Sequence, residues 1–380
     1  MSTTELNTAD NSSDQPVTGL PASAYTDQAF LELEQQKLFA QTWVCIGTID
    51  DVPGTGDVRP VRVAAREVLM VRDNGGEVRV FHNYCRHRGH PIVTEPVCGL
   101  KRLVCPYHAW AYDLDGTLKR APHFDGAGEH RNGGAAAALP GLKPVRSATW
   151  HRLVFVNLSA DAQPFDAHIA PLAERWSAYD FSHLRRGKSV TYEAACNWKL
   201  AIENFIDFYH LPAVHKGLNS YSSMQDHHFI RHDGVFFGEG NDHYDPKDDA
   251  AGRLPVFPGL APELNTKTEA LCLFPNLLIT VFNDNLRIII VEPLEPGRCR
   301  EHIHVFFVGD EAVSASLEGL RETTVARFIE FNDEDIEVIE ALQAAFTGNG
   351  FDGGCFSPYF DQNIHHFQGL VLDAIDQTVS

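Results

Sequence analysis

Several features that mark particular protein classes are scarce in this sequence of 380 residues. Its eight cysteines are too few for a scaffold held by disulfides, which favours a reducing, cytoplasmic setting. No apolar run approaches the roughly 18 residues that a membrane span needs, and the first residues lack the basic start and apolar centre of a signal peptide. Basic residues number 31 against 51 acidic ones. The net charge of −20 argues against nucleic acid or anionic membranes as the main partner.

The remaining composition, 44% hydrophobic and 22% charged, is that of a globular protein, and the length suggests two or three domains. The sequence predicts an α+β fold in four segments. These are a flexible tail over residues 1–24, a helix over 25–42 that packs with the last domain, an antiparallel β domain over 43–160, and a helix-on-sheet domain over 161–380.

Turn signals support these elements. The runs EVLMVRD and EVRVFHN flank Asp73–Gly76, and HAWAYDLDGTL turns at Asp115–Gly116, so we expect two hairpins. Strands such as LLITVF and RIIIVEP follow, with helices near 322–346 and 361–376. A literal G-x-G-x-x-G match at Gly348–Gly353 follows a helix rather than a strand. It therefore predicts a loop, and the chain shows no nicotinamide or flavin site of its own.

Two cysteines and two histidines are spaced as metal ligands. Cys85-Arg-His87 precedes Cys105-Pro-Tyr-His108 by 17 residues, and each pair follows a predicted strand. Such a set can bind structural zinc, but mixed C-x-H and C-x₂-H pairs are more typical of a [2Fe–2S] cluster with two Cys on one iron and two His on the other. We expect the other cysteines to be free thiols in or near the core, namely Cys45, Cys98, Cys196, Cys272, Cys299 and Cys355.

The segment NWKLAIENFIDFYHLPAVH combines acids and histidines with apolar residues. Its first residue is a suitable N-cap and its proline cannot continue a helix, so we predict a helix of about 13 residues. Within it Glu203, Asp207 and His210 share one face, and His215 lies just beyond the break. These polar groups either satisfy one another structurally or form part of a metal site. Two histidines and one further carboxylate would suit non-haem Fe(II) oxygen chemistry.

The missing carboxylate is expected on the core face of another helix. Asp335 is placed at helical spacing from an apolar stripe, whereas Asp333, Glu337 and Glu340 fall on the opposite, solvated side. We therefore predict Asp335 as the third ligand, with an acid at the edge of the stripe as the alternative. The stripe consists of Phe328, Phe331, Ile339, Leu342 and Phe346.

Together, CRH…CPYH and NWKLAIENFIDFYHLPAVH make the chain similar to the oxygenase α subunits of Rieske non-haem iron oxygenases, from the helix before Trp43 onward. The resemblance implies a Rieske antiparallel β domain over 43–160 and a catalytic domain over 161–380. It also implies a [2Fe–2S] cluster and one mononuclear Fe(II) per subunit. The implied ligands are Cys85, His87, Cys105 and His108 for the cluster, and His210, His215 and Asp335 for the iron.

The same resemblance implies partners and further site residues. Family members are commonly trimers in which the cluster of one subunit serves the iron of its neighbour. Asp207 matches the acid that bridges the two centres across that interface, and Asn204 matches an Asn near the iron. Electrons from NAD(P)H are expected through a separate flavin-containing reductase, and in some systems a ferredoxin.

The C-terminal run FDQNIHHFQGLVLDAI is similar to the branch of the family that acts on choline, betaines and other N-methyl compounds. Asp207 weakens a carnitine-type identity, because those members usually carry Glu there. Hydroxylation or cis-dihydroxylation of an aromatic ring is the alternative, and a non-catalytic ferredoxin-like or zinc-stabilised protein is the alternative from another class. A wall for a quaternary ammonium group, or ordinary core packing, is expected of Tyr209, Tyr221, Phe229, Phe236 and Phe237.

Overall fold

The computed structural model describes residues 17–246, 253–348 and 350–376, which divide into two compact units. The smaller unit covers residues 39–162, for a domain expected over 43–160. The larger unit is built from both sides of it, from the chain up to residue 38 and from residue 163 onward.

The amino-terminal segment begins with two short helices, α1 (Ser23–Thr26) and α2 (Gln28–Leu33). Asp27 caps α2, because its side chain accepts the second backbone N–H of the helix. A π-helical stretch then follows over Glu34–Phe39. The helix expected over 25–42 is therefore found as an α-helical part followed by a π-helical part, and it ends at residue 39.

The flexible tail expected over residues 1–24 has its first 16 residues outside the described part of the chain. From Val17 onward the backbone is anchored, since Phe356 N–H donates to the Val17 carbonyl and Gly19 N–H donates to the Gly353 carbonyl, both over 2.9 Å. Gly353 has a φ of +103°, and a Cβ there would lie 2.5 Å from the Gly19 carbonyl oxygen. This close pairing therefore requires glycine.

The smaller unit consists mainly of antiparallel strands and one short helix, α3 (Gly134–Ala137). Its strands are β1 (Val44–Thr48), β2 (Val58–Val63), β3 (Arg66–Arg72), β4 (Val78–His82), β5 (Leu103–Val104), β6 (Ala111–Tyr112), β7 (Leu118–Gly126), β8 (Glu129–Asn132), β9 (Arg146–Trp150) and β10 (Leu153–Asn157). They form three sheets with the orders β1-β10-β9, β2-β3-β4 and β5-β6-β7-β8. Both predicted hairpins are present. Asp73 Oδ1 accepts the Gly75 and Glu77 N–H groups in the first turn, and Asp115 Oδ1 accepts the Thr117 N–H in the second.

The larger unit packs helices on a single antiparallel sheet. Its strands are β11 (Leu184–Ala194), β12 (His227–His232), β13 (Phe236–Asn241), β14 (Thr268–Leu273), β15 (Leu277–Val281), β16 (Asn285–Glu295) and β17 (Arg298–Val308), in the order β11-β17-β16-β15-β14-β13-β12. Its further helices are α4 (Phe165–Arg175), α5 (Trp198–Phe205), α6 (Lys216–Asn219), α7 (Gly309–Ala312), α8 (Glu318–Gly348) and α9 (Gln362–Asp376). The predicted α+β class is confirmed. No helix of the described ranges has both the length and the apolar character to cross a membrane.

The long helix α8 lies on the face of the sheet that carries Glu301 and Arg287. Asn332 Nδ2 donates to Glu301 Oε2 over 3.3 Å, and the Arg287 guanidinium lies 4.9 Å from the ring centre of Phe328. These contacts hold the helix that carries Asp335 against the sheet. The literal G-x-G-x-x-G match begins at the end of α8, and its described residues from 350 onward have no regular structure.

The cysteines expected in or near the core are only partly there. Four of the six are buried, but Cys98 and Cys355 are exposed, because both lie in irregular segments between the elements. The sulfurs of Cys196 and Cys299 are 3.7 Å apart in the interior of the larger unit.

Candidate metal centres

Two loops of the smaller unit carry the candidate cluster ligands and share one backbone design. The Cys85 and Cys105 N–H groups each donate over 2.8 Å to the carbonyl five residues later. Each cysteine carbonyl accepts the N–H of the residue four positions later, Gly89 in one loop and Ala109 in the other. Both of these residues are left-handed, with φ of +80° and +56°. The sequence therefore folds the two motifs into matching tight turns.

The ligand side chains of the two turns meet. Cys85 and Cys105 are buried, whereas His87 and His108 are exposed, with ring centres 4.6 Å apart. The Trp110 indole is stacked on His87 at 5.0 Å and 9°. Two thiols thus face the interior and two imidazoles face the surface, as in a donor set whose histidine side is open to an electron donor or acceptor.

Tyr112 completes this site and was missed by sequence reasoning, since a buried tyrosine on a strand carries no ligand signal. Its hydroxyl lies 3.2 Å from Cys85 Sγ and accepts the Arg86 N–H over 3.0 Å. Burial raises the pKa of Cys85, and the neighbouring Cys105 raises it further because two adjacent thiolates repel each other. A bound cation removes that repulsion.

The spacing of these four residues bears on the alternative of a single zinc ion. In a tetrahedral site with bonds of about 2.0–2.3 Å, the ligand atoms lie within about 4 Å of one another. Across the described residues, the one group of three or more candidate ligands within 4.8 Å is a different one, formed by His210, His215 and Asp335. The cysteine and histidine set is not such a group among the described residues, and a cluster of two irons does not require one.

The helix that leads to this second group is shorter than predicted. It ends at Phe205, because the Asp207 side chain accepts the Tyr209 N–H over 2.6 Å and forms a local turn that competes with the helix. Two later N–H groups donate to the His210 carbonyl in a second turn. The prediction that Glu203, Asp207 and His210 share one helix face is therefore wrong.

The second turn brings His210 and His215 together, with ring centres 5.0 Å apart. Asp335 reaches them from α8. Its Oδ1 lies 2.9 Å from His215 Nε2 and 3.6 Å from His210 Nε2. His215 is buried, while the side chains of His210 and Asp335 are 16% and 27% exposed. The structure thus brings together the three residues that the sequence singled out as ligands. One of them is buried, and the other two are partly exposed.

A further carboxylate contacts the other nitrogen of each histidine. Asp207 Oδ2 is 3.2 Å from His210 Nδ1, and Glu334 Oε2 is 2.6 Å from His215 Nδ1. A proton on each Nδ1 leaves the Nε2 lone pair free on the side of Asp335. Burial lowers the pKa of His215, but Asp335 and Glu334 outweigh it and raise the pKa, which marks surroundings that attract a cation. Sequence reasoning missed Glu334, because it lies off the apolar stripe.

Glu203 belongs to a different, buried cluster. Its Oε1 accepts from the Tyr25 hydroxyl over 2.7 Å and from Gln368 Nε2 over 2.9 Å, and burial raises its pKa to about 7. Asn204 is partly buried at the end of α5, where its carbonyl accepts the Asp207 N–H over 3.3 Å. Its role near the iron stays a prediction.

The five aromatic residues expected around a substrate do not form one wall. Phe236 and Phe237 are buried in the core of the sheet, Tyr209 is 53% exposed, and Phe229 packs against aromatic neighbours outside the set. Tyr221 differs, because its hydroxyl is buried without a hydrogen-bond partner among the described residues.

Both donor sets fit the groups expected from the sequence. Two thiols and two imidazoles from paired turns suit a Rieske cluster, and two imidazoles with one carboxylate suit a non-haem Fe(II) with open coordination positions.

Two family profiles match the chain. Residues 42–140 match the Rieske [2Fe-2S] domain, and residues 181–377 match the ring hydroxylating alpha subunit (catalytic domain). The second match covers more than half of the chain.

Known proteins show the same likeness. The glycine betaine monooxygenase oxygenase subunit of Pseudomonas aeruginosa is 32% identical over 199 residues, which span 52% of this chain but only 45% of that protein. The chloroplastic choline monooxygenase of Arabidopsis thaliana is 27% identical over 370 residues, 92% of this chain and 81% of the relative. A solved quaternary ammonium Rieske monooxygenase shares the fold at 20% identity, with a TM-score of 0.78 and coverage of 95% and 96%.

Proposed function

The chain belongs to the ring-hydroxylating alpha-subunit family of Rieske oxygenases, and from this premise we propose that it is the terminal oxygenase of a multicomponent enzyme. It accepts electrons from a separate reductase, directly or through a ferredoxin, and uses O₂ to oxygenate a small organic substrate. The substrate class is an N-methyl or quaternary ammonium compound, which is monooxygenated and loses a methyl group.

The convergence of His210, His215 and Asp335 carries the oxygenase part of this proposal. These residues would hold the mononuclear iron, and Cys85, His87, Cys105 and His108 would hold the cluster. When bound, the cluster supplies single electrons and the iron activates O₂. Asp207 and Glu334 keep the two histidines in the tautomer that offers Nε2, and the burial of His215 limits the access of water.

The named relatives support the substrate class. The glycine betaine and choline monooxygenases act on N-methyl compounds by their names, and the first is 32% identical over its matched half. Ring hydroxylation is the second candidate, since the matched catalytic family is named for it.

The partners are part of the same proposal. Asp207 contacts His210, and its side chain is 18% exposed, so part of it is accessible to a residue of another subunit. This supports a homotrimer in which Asp207 bridges a cluster histidine of one subunit and His210 of the next. We also propose that the protein works in the cytoplasm, where its cysteines, none of them in a disulfide, stay reduced.

Single turnover tests the proposal. Chemically reduced holoenzyme is exposed to ¹⁸O₂ with glycine betaine, choline, other N-methyl amines and benzoate in separate reactions. We expect trapped formaldehyde and a demethylated amine. ¹⁸O in a ring diol would instead establish the ring hydroxylase. If neither forms with both metal centres loaded, the oxygenase proposal is wrong.

A further inference from the structure

Arg287 on β16 is a buried cation. It is 6% exposed, its Nε donates to Asn285 Oδ1 over 3.2 Å, and it forms no ion pair with an acid of the described ranges. Arginine stays protonated in proteins, and a buried charge without a partner is costly. Asp284 forms no ion pair with it among the described residues, and the Arg287 charge lowers the pKa of Asp284 against the larger effect of burial, which raises it.

Two aromatic rings flank this guanidinium, and one of them belongs to the helix that carries Asp335. Its carbon lies 4.3 Å from the ring centre of Phe282 and 4.9 Å from that of Phe328. Phe328 precedes Asp335 by two turns of α8, about 10 Å along the helix axis. Between them, the ring of Phe331 lies 5.5 Å from that of His215. The cation thus lies against the same helix that carries Asp335 and Phe331, whose ring is next to His215.

Tyr221 adds a buried hydroxyl group without a hydrogen bond to any described residue. Its ring centre lies 5.7 Å from that of Tyr244, which is 5.0 Å from Phe282. Burial raises the pKa of Tyr221, and the charges of Arg327 and Arg287 oppose that rise. Tyr221 and Arg287 are thus joined through two rings, since Tyr244 contacts both Tyr221 and Phe282, the ring against which Arg287 lies.

A guanidinium and a hydroxyl donor match the oxygens of a carboxylate, and the surrounding rings match methylated or flat apolar groups. We propose that Arg287, assisted by Tyr221, binds a carboxylate group of the substrate. For the N-methyl substrate this rests on the proposed function, where it selects betaines and N-methyl amino acids over choline. A ring hydroxylase would use the same pair for an aromatic carboxylic acid.

Paired ligands test this. Binding to the holoenzyme is measured by calorimetry for glycine betaine against choline, and for benzoate against benzyl alcohol, so that each pair differs in its carboxylate. We expect at least a tenfold preference for the acid in one pair. Arg287→Gln should lose that preference while its affinity for the alcohol changes less than about twofold. Arg298→Gln, an exposed arginine of the same sheet, is the control and should keep the preference.

Equal binding of acid and alcohol by the wild type in both pairs would overturn the proposal, and so would an Arg287→Gln variant that loses both ligands equally. If that variant does not fold, Arg287→Lys replaces it and should keep part of the preference. A preference that depends on Arg287 and is confined to benzoate leaves the carboxylate site standing while the N-methyl function fails. Formaldehyde from choline and from glycine betaine at equal affinity gives the reverse result.

Discussion

The two candidate metal centres are assembled in opposite ways. The residues proposed as cluster ligands lie between Cys85 and His108, in two turns with the same backbone hydrogen bonds. The proposed iron ligands His215 and Asp335 are 120 residues apart in sequence and meet because α8 packs against α5. A local motif therefore defines the first centre, and tertiary packing defines the second.

The histidines of the two centres also differ in their exposure to solvent. His87 and His108 are exposed, whereas His215 is 3% exposed. An electron carrier needs ligands near its surface, and an oxygen-activating site gains from the exclusion of water. Substitutions that break one centre are therefore expected to leave the other intact.

The largest effect is expected from Cys105→Ser. It removes a buried thiol ligand, so we expect loss of the visible absorption and acid-labile sulfide of the cluster, and no turnover. The mononuclear iron should remain, because its ligands lie in the other unit, and iron analysis checks this. Cys98→Ser changes an exposed thiol of the same unit and should preserve the cluster. A Cys105→Ser protein with normal sulfide content would contradict the ligand assignment.

His215→Ala tests the other centre. The variant should lose the mononuclear iron and all turnover but keep the cluster absorption. His243→Ala replaces a histidine whose side chain is 74% exposed, and it should have normal iron content. Retention of full activity by His215→Ala would rule out this histidine as a ligand.

Asp207→Ala is expected to impair electron transfer between the two centres while both keep their metals. Its carboxylate contacts His210 but is not among the three convergent ligands, so both metals should stay bound. Loss of an outer carboxylate costs about 10–100-fold, and a bridging role puts the loss of turnover at about 100-fold or more. Reoxidation of the reduced cluster by O₂ and substrate, followed by stopped flow, should slow equally. Normal reoxidation with slow product formation would place Asp207 in the chemistry at the iron rather than between the centres.

The smallest effect concerns pH and the larger unit. The pKa of Glu203 is raised from 4.5 to about 7 in the folded protein, so the folded state holds this proton more tightly than the unfolded chain. The stabilisation is therefore complete below pH 4.5 and is lost as the pH rises through 7. Glu203→Gln stays neutral, and its free energy of unfolding should fall about 1 kcal/mol less than that of the wild type between pH 6 and 8. Urea denaturation checks this, with exposed Glu322→Gln as the control. Parallel slopes for wild type and Glu203→Gln would show that Glu203 does not titrate in this range.

The features that could be predicted from the sequence are those that depend on local motifs, as in the first centre, rather than on tertiary packing. The hairpins of the smaller unit and the spacing of its Cys and His pairs are local, so the sequence alone indicates them. Asp335 was found from helical periodicity, and it does meet His215. The periodicity did not predict burial correctly for the whole stripe, since its residue Leu342 is 41% exposed.

The rest depended on competing contacts that periodicity does not contain. The end of α5 is set by the side chain of Asp207, which accepts a backbone N–H in place of helix formation. Glu203 lies in a buried cluster because Tyr25 and Gln368, distant in sequence, donate to it. Glu334 had no sequence signal, because only the position of His215 gives it a partner.

The larger unit contains the chain segments before and after the smaller unit in sequence. This arrangement determines which unit can fold first during synthesis on the ribosome. Gly19 and Tyr25 find their partners Gly353 and Gln368 only when nearly the whole described chain has emerged. Residues 39–162 are complete long before, and domains fold as units as they emerge. All four proposed cluster ligands are thus available in a folded unit before Asp335 has been translated, which would allow the cluster to be inserted first and the mononuclear iron last.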